Sequence, residues 1–308
     1  MRLATVLLLL AGAARATTFY VTVAGLGGEP DYEQRFSGWA GEIEAILKSA
    51  GGDAKIETFK GAAATRANVR AALERIAHEA KPDDALAVML IGHGSFDGVD
   101  YKINLPGPDL SATDLAALLD RVPAARQLVV DMTSASGGAM TSLRKENRVV
   151  ITATKSGTER NATVFARFWV EALRDPAADT DKNETISALE AFHYAEQKVA
   201  QYFESQKRLA TEHPMLEDTG KGEGVRDPSA ANREGLRAAA FPLVRLGAAA
   251  SAIANNPEKK KLLANKDQLE QQIDLLKYNK AALAPDEYKK KLTALLLELA
   301  KTQQELDQ

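Results

Sequence analysis

The sequence predicts an α/β domain on a mostly parallel sheet with helices on both faces, followed by a C-terminal helical hairpin. Three observations predict it. Strand-like and helix-like segments alternate from residue 17 to about residue 210. Three strand segments, "ALAVMLIG" (85–92), "QLVVDM" (127–132) and "RVVITA" (148–153), are almost continuously apolar, as strands covered on both faces are. In the tail, apolar residues recur in steps of three and four, a helical period.

The elements follow in order. Residues 1–16 read as an export signal. Arg2 gives the positive start, "LATVLLLLAGA" is too short to span a bilayer, and "ARA" (Ala14 to Ala16) fits an A-x-A cleavage site. The expectation is a soluble protein exported to the periplasm or the exterior. No later stretch is long and apolar enough to be a transmembrane helix. "TTFYVTVAG" (17–25) alternates and is β-branched, so it reads as a strand. The next segment is a helix with Tyr32, Phe36, Trp39, Ile43, Ile46 and Leu47 on one face, ended by Gly51 and Gly52. "AKIETF" (54–59) is a strand and "ANVRAALERIAHEA" (67–80) a helix. Ser111 and Asp114 suit the start of a short helix at 112–121. "NATVFARFWVEALRD" (161–175) and a long segment at 186–208 complete the helices of a 17–210 domain.

Residues 211–254 are rich in Gly, Asp and Glu and read as an ordered loop or linker. Residues 255–308 form the hairpin. Leu262, Leu269, Ile273 and Leu276 mark its first helix; Tyr288, Leu292, Leu295, Leu299, Thr302 and Leu306 mark its second. Pro285, Asp286 and Glu287 suit the first turn between them. The period is coiled-coil-like. It leaves open whether the hairpin folds on itself, covers the main domain or self-associates.

The net charge of −3 over 308 residues, with no basic face, argues against a nucleic-acid partner. The chain has no cysteine, hence no disulfide and no thiol nucleophile.

In parallel α/β sheets, sites form outside the carboxyl ends of the strands. Four segments should converge there: Gly25 to Gly28, Gly92 to Gly98, Ser134 to Gly138 and Thr154 to Gly157. Two of them carry chemistry. "LIGHGSFDG" (90–98) sets a histidine between two glycines after a buried strand. The imidazole can move a proton near neutral pH, and glycine lets a backbone N–H approach a ligand. "DMTSASGGA" (131–139) puts small residues after the next strand, with Ser134 placed beside His93 at the same sheet edge.

Together the two stretches resemble the legumain-like (peptidase family C13) and caspase-like peptidases of the caspase/haemoglobinase fold. His93-Gly94 is similar to the family's His-Gly. Ser134-Ala135-Ser136-Gly137 is similar to its Cys-x-Ser-Gly, with serine at the cysteine position. The resemblance covers roughly residues 17–210. It implies His93 as base, position 134 as nucleophile, and the N–H groups of Gly94 and Ser134 as an oxyanion hole. Ser136, Gly137, Lys155 and Ser156 are substrate-loop candidates, and a peptide or protein is the expected ligand.

A serine hydroxyl needs an oriented base, usually a histidine held by a carboxylate. Asp97 and Asp131 are the candidate acids, each also readable as a turn residue or strand-end cap. The expectation is therefore a homologue that lacks cysteine-peptidase activity and binds or regulates. The alternative is an active serine hydrolase using a His93–Ser134 dyad. A further alignment makes Ser136 the nucleophile of a G-x-S-x-G elbow with its first glycine missing, and His213 its base; His193 lies within a helix and reads as structural.

"DTDKNETISALE" (179–190) follows the calcium-loop pattern D-x-D-x-N-x-x-x-x-x-x-E. Asp179, Asp181, Asn183, the Thr185 carbonyl, Ser187 and Glu190 fall at its ligand positions, so Ca²⁺ is the expected cofactor. Glu184 stands where a glycine normally makes the sharp turn, and a capped helix start is the competing reading. "VAGLGG" (23–28) is not a dinucleotide fingerprint, because Pro30 holds the place of its third glycine.

Overall fold

The computed structural model describes residues 16–50, 54–229, 233–247, 256–278, 280 and 283–306. The export-signal expectation for residues 1–16 thus lies, Ala16 excepted, outside the described residues. In chain order the strands are β1 (Thr18–Ala24), β2 (Ala54–Phe59), β3 (Ala85–Ile91), β4 (Gly94–Phe96), β5 (Tyr101–Ile103) and β6 (Leu110–Ser111). Then come β7 (Arg126–Asp131), β8 (Arg148–Thr152), β9 (Thr185–Ser187), β10 (Met215–Glu217) and β11 (Pro242–Arg245). The helices are α1 (Pro30–Ser49), α2 (Arg66–Glu79), α3 (Ala112–Leu119), α4 (Met140–Leu143), α5 (Phe165–Ala172) and α6 (Ala188–Ser205). A short α7 (Leu236–Ala239) precedes the long α8 (Pro257–Tyr278) and α9 (Pro285–Leu306).

The central sheet runs in the order β10-β8-β7-β3-β1-β2. β1, β2, β3, β7 and β8 are mutually parallel, and β10 closes the edge antiparallel to β8. This is the expected mostly parallel sheet. Side chains alternate along each strand, so each strand feeds two cores. Tyr20, Met89, Val130 and Ile151 face a cluster with Phe36, Trp169 and Phe192 of α1, α5 and α6. Val21, Val88, Val129 and Val150 face one with Leu73, Leu115 and Leu143 of α2, α3 and α4. β3, at the centre, is buried at every residue, which is why its sequence carries no alternation.

The starts of α2, α3 and α6 carry side-chain caps. Thr65 accepts from Asn68 N, Ser111 from Asp114 N and Ser187 from Glu190 N. The segment expected as a helix at 186–208 therefore begins at Ala188, because Thr185–Ser187 pairs with β11 instead. The segment expected at 161–175 is helical only over α5, and the stretch before it is a site loop. The stretch read as loop and linker supplies β10, α7 and β11, and β10 extends the main sheet past residue 210. A small antiparallel sheet, β4-β5-β6, interrupts the chain between β3 and α3.

The hairpin folds on itself, α8 against α9. Leu263, Leu269, Ile273 and Leu276 are buried on α8, and Leu262 only half-buried, a shift of one position from the expected stripe. On α9 Thr302 is buried, while Tyr288, Leu292, Leu295, Leu299 and Leu306 are half-buried along the same face. The hairpin also reaches the main body, where Lys266 Nζ donates to the Asn183 carbonyl.

Arg148 at the start of β8 shows how a charge is buried here. Its side chain is 1% exposed. Nε donates to Gln127 Oε1 at 2.9 Å, Nη1 to the Leu143 carbonyl at 2.8 Å and Nη2 to Asp120 Oδ1 at 2.7 Å. Truncation would strand the buried Gln127 and Leu143 acceptors, while Asp120, 53% exposed, keeps Lys145. Arg148→Ala is expected to lower unfolding free energy by roughly 3 kcal/mol, read from the urea midpoint. A change within about 0.5 kcal/mol would mean that the site relaxes around the loss.

Candidate functional site

The four glycine- and serine-rich segments do converge at the carboxyl edge of the sheet. Gly25 N donates to Ile91 O at 2.8 Å, and Gly92 (φ 152°) packs on the Gly25 backbone. The next step admits only glycine. A Cβ on Gly94 would come within 2.4 Å of Ser134 O and 2.5 Å of the Tyr101 ring. A Cβ on Gly137 would meet Ser156 N at 2.2 Å. Backbone thus lies on backbone from β1 across to the loop after β8.

Ser134 follows β7 and is 2% exposed. Its hydroxyl accepts from Gly94 N at 3.1 Å and donates to Gly94 O at 3.2 Å. Both bonds go to one residue of β4. His93, just before, turns toward α1. Its ring meets Tyr32 at 4.8 Å between centroids and Phe36 at 5.2 Å, edge-on to both. It has a backbone hydrogen-bonding contact with Gly27, whose own N–H donates to Glu33 Oε1. Burial lowers its pKa, so it is neutral at pH 7. Among the described residues no hydrogen bond joins the His93 ring to Ser134.

Neither candidate acid is bonded to His93. Asp97 is a turn residue, its Oδ1 accepting from Val99 N and Asp100 N at 2.9 Å each. Asp131 is fully buried. Its Oδ1 accepts from Tyr101 OH at 3.1 Å, Thr133 N at 3.2 Å and Thr133 Oγ1 at 2.7 Å. Its Oδ2 is buried without a hydrogen-bond partner. Burial raises the Asp131 carboxyl to about 6.

The remaining site candidates brace the loops. Ser136 Oγ accepts from Thr154 N at 3.2 Å, and Gly137 N donates to Thr154 Oγ1 at 2.8 Å. Ser136 is fully buried, against its reading as an elbow nucleophile. Ser156 is half-buried and shares a hydrogen bond with Thr158, and Lys155 is exposed. His193 Nε2 donates to the Pro228 carbonyl at 3.0 Å, a structural role.

Sequence reasoning missed a second cluster beside this loop. Glu159 Oε2 accepts from Lys155 N and His213 N, and its Oε1 meets His213 Nδ1 at 2.5 Å and Lys155 Nζ at 3.7 Å. Its carbonyl accepts from Ala135 N at 2.7 Å, so Glu159 ties the Ser134 loop, the loop after β8 and the approach to β10. Next to it, Glu212 accepts from Val164 N with both oxygens, at 2.9 and 3.0 Å, and burial raises it to about 8. No spacing signals either group, because their partners come from separate elements.

The calcium-loop residues also assemble. Carboxylate oxygens of Asp179, Asp181 and Glu190 lie within 4.8 Å of one another. Glu184 takes φ 66° and Lys182 φ 61°. The glycine-type turn at the sixth position is therefore made by a glutamate, at a cost of about 1–2 kcal/mol. Burial, and then Glu190, raise the Asp181 carboxyl. Hard oxygens at this spacing fit Ca²⁺. The competing capped-helix arrangement is present too. Glu190 Oε2 accepts from Ser187 N and Oγ, its Oε1 from Thr180 N, and Ser187 Oγ caps α6. Asn183 Oδ1 accepts from Thr185 N.

No family model matches the chain, and no curated protein does. Among solved structures it is similar to protein GSU0716 from Geobacter sulfurreducens, at 13% identity and TM-score 0.45, over 71% of this chain and 97% of that one. It is similar to caspase-1 from Spodoptera frugiperda, at 13% identity and TM-score 0.46, over 66% and 86%. It is also similar to the Drosophila initiator caspase Dronc, at 9% identity and TM-score 0.44, over 68% and 82%.

Glu212 generates a pH prediction. Folded, it keeps its proton up to about pH 8; unfolded, it loses it near 4.5. Between those values the folded state binds more protons, so stability falls as pH rises, by up to roughly 1.4 kcal/mol per pH unit. Glu212→Gln keeps an acceptor without the charge. The gap in urea midpoint between variant and wild type should widen in the variant's favour from pH 5 to pH 8. A constant gap would show that Glu212 is ionised in the fold.

Proposed function

We propose that this chain is a legumain-like homologue of the caspase/haemoglobinase-fold peptidases that binds peptide without cysteine-peptidase chemistry. The observation that carries the reading is the fate of the Ser134 hydroxyl. Its donor and acceptor capacity goes to the Gly94 backbone, whereas His93 is held in the Tyr32–Phe36 notch. A nucleophilic serine needs a base within hydrogen-bond reach and a third group orienting that base. Asp97 and Asp131 are engaged elsewhere. What remains at this sheet edge is closely packed loop backbone from four segments.

One observation favours the serine-hydrolase reading. Burial keeps His93 neutral, the state a base requires, and it adjoins the residue that touches Ser134. A fluorophosphonate probe and an unbiased peptide panel separate the two. The expected result is an unlabelled protein that binds panel peptides and releases them uncut. Labelling of Ser134 that disappears in His93→Ala would establish the hydrolase instead. A panel with no binder would end the peptide-binding reading.

The same proposal gives the 179–190 loop to Ca²⁺, with Asp179, Asp181 and Glu190 as the charged ligands and Asn183, the Thr185 carbonyl and Ser187 completing the set. The donor set and the left-handed turn at Glu184 support it. Calorimetric titration of chelator-treated protein should give a Kd of roughly 10⁻⁵–10⁻³ M, weakened at least tenfold by Asp181→Asn, a residue outside the α6 cap. No binding heat, or an unchanged Kd in the variant, would leave the loop a helix cap alone.

A further inference from the structure

We propose that the slot between Gly138 and Gly157 is a pocket for a planar aromatic side chain of a bound peptide, and that Phe96 is its built-in occupant. The inference rests on the peptide-binding reading and assigns that site a specificity element and a cover.

The slot has bare backbone walls. A Cβ on Gly138 would lie 2.7 Å from Phe96 Cδ2, and one on Gly157 would lie 2.2 Å from Phe96 Cδ1. Two glycines therefore press on opposite edges of one ring. They belong to the loops after β7 and β8, at the sheet edge where ligands bind α/β domains. The ring itself is only half-buried, resting on the cluster that contains Tyr101, Ala135 and Met140.

The occupant is attached to the cover. β4 is three residues long. Its first residue, Gly94, caps the Ser134 hydroxyl; its third, Phe96, fills the slot. Lifting β4 would open both at once.

Beyond the two bonds between Gly94 and Ser134, the fastening of β4 is light. β4 is the edge strand of its small sheet and pairs with β5 alone. The hairpin tip is exposed, with Val99 at 90% and Gly98 at φ 102°. On the outer side, Arg160 Nη2 donates to the Phe96 carbonyl at 3.2 Å, and Arg160 is exposed. An incoming extended peptide could place its own aromatic ring in the slot and its carbonyl on Arg160. The slot walls admit a ring of this width, because a Cβ on either glycine would meet it.

The test uses acetyl-phenylalanine amide as probe, with acetyl-leucine amide as control, followed by chemical-shift titration of the full chain. Phe96→Ala should bind the aromatic probe at least tenfold more tightly than wild type and prefer it to the leucine probe. Phe96→Ala combined with Gly157→Ala, which puts a methyl into the slot, should lose the gain. Arg160→Ala releases the strand without touching the slot and should give a smaller gain in the same direction; it decides the matter if Phe96→Ala does not fold. Folded variants that bind no better than wild type, or a gain that survives Gly157→Ala, overturn the proposal. If panel peptides bind wild type while these variants change nothing, the slot falls and the peptide-binding reading stands. If the variants gain the probe and the panel yields no binder, the slot stands as a ring pocket and the peptide reading falls.

Discussion

The candidate site depends on how closely β4 approaches the Ser134 loop. Gly94 lies where no side chain fits, against Ser134 O and the Tyr101 ring. Everything around it follows. The hydroxyl of Ser134 finds its partners in that backbone, at the Gly94 N–H and carbonyl. His93, fixed one residue earlier, is left to pack on α1. Phe96, two residues later, is delivered into the gap between the next two loops. One close contact between main chains sets the positions of His93, Ser134 and Phe96.

Burial sets the electrostatics of the same edge. Asp131 and Glu212 both lie behind the loops, and both carboxyls are raised because desolvation outweighs their hydrogen bonds. Glu159 differs. It gathers three donors, two of them backbone N–H groups, with the Lys155 ammonium 3.7 Å away, and it holds the Ser134 loop through its own carbonyl. The loops are thus fastened by a carboxylate rich in donors and underlain by Glu212, whose carboxyl keeps its proton at neutral pH.

Much of the fold was legible because hydrophobic period is a local signal. The uninterrupted apolar runs of β3, β7 and β8, the stripe on α9 and the cap at Ser111 are all written within a few residues. β10 and β11 were not, because three or four residues in a polar stretch acquire strand structure only from the strand they meet. The site was legible to the level of which loops meet. His93-Gly94 and Ser134 do lie side by side at one edge. The direction of the His93 ring was not legible, since it depends on Tyr32 and Phe36, some sixty residues earlier. The Glu159–His213 pair and the Phe96 slot were hidden for the same reason: each joins groups from three separate segments.

The difference between oxygen and sulfur bears on how such a loop keeps its shape. A thiol is a weak donor and a weak acceptor, and its value at a strand end lies in its thiolate. A hydroxyl donates and accepts well. Placed where Gly94 presents an N–H and a carbonyl together, Ser134 satisfies both, and each bond adds to the packing that excludes a Cβ at Gly94. The serine is thus a fastener of the β4 cover. To act as a nucleophile it would have to give up both bonds and gain a base that now faces α1. The atom that makes this loop stable is the same atom that chemistry would need free.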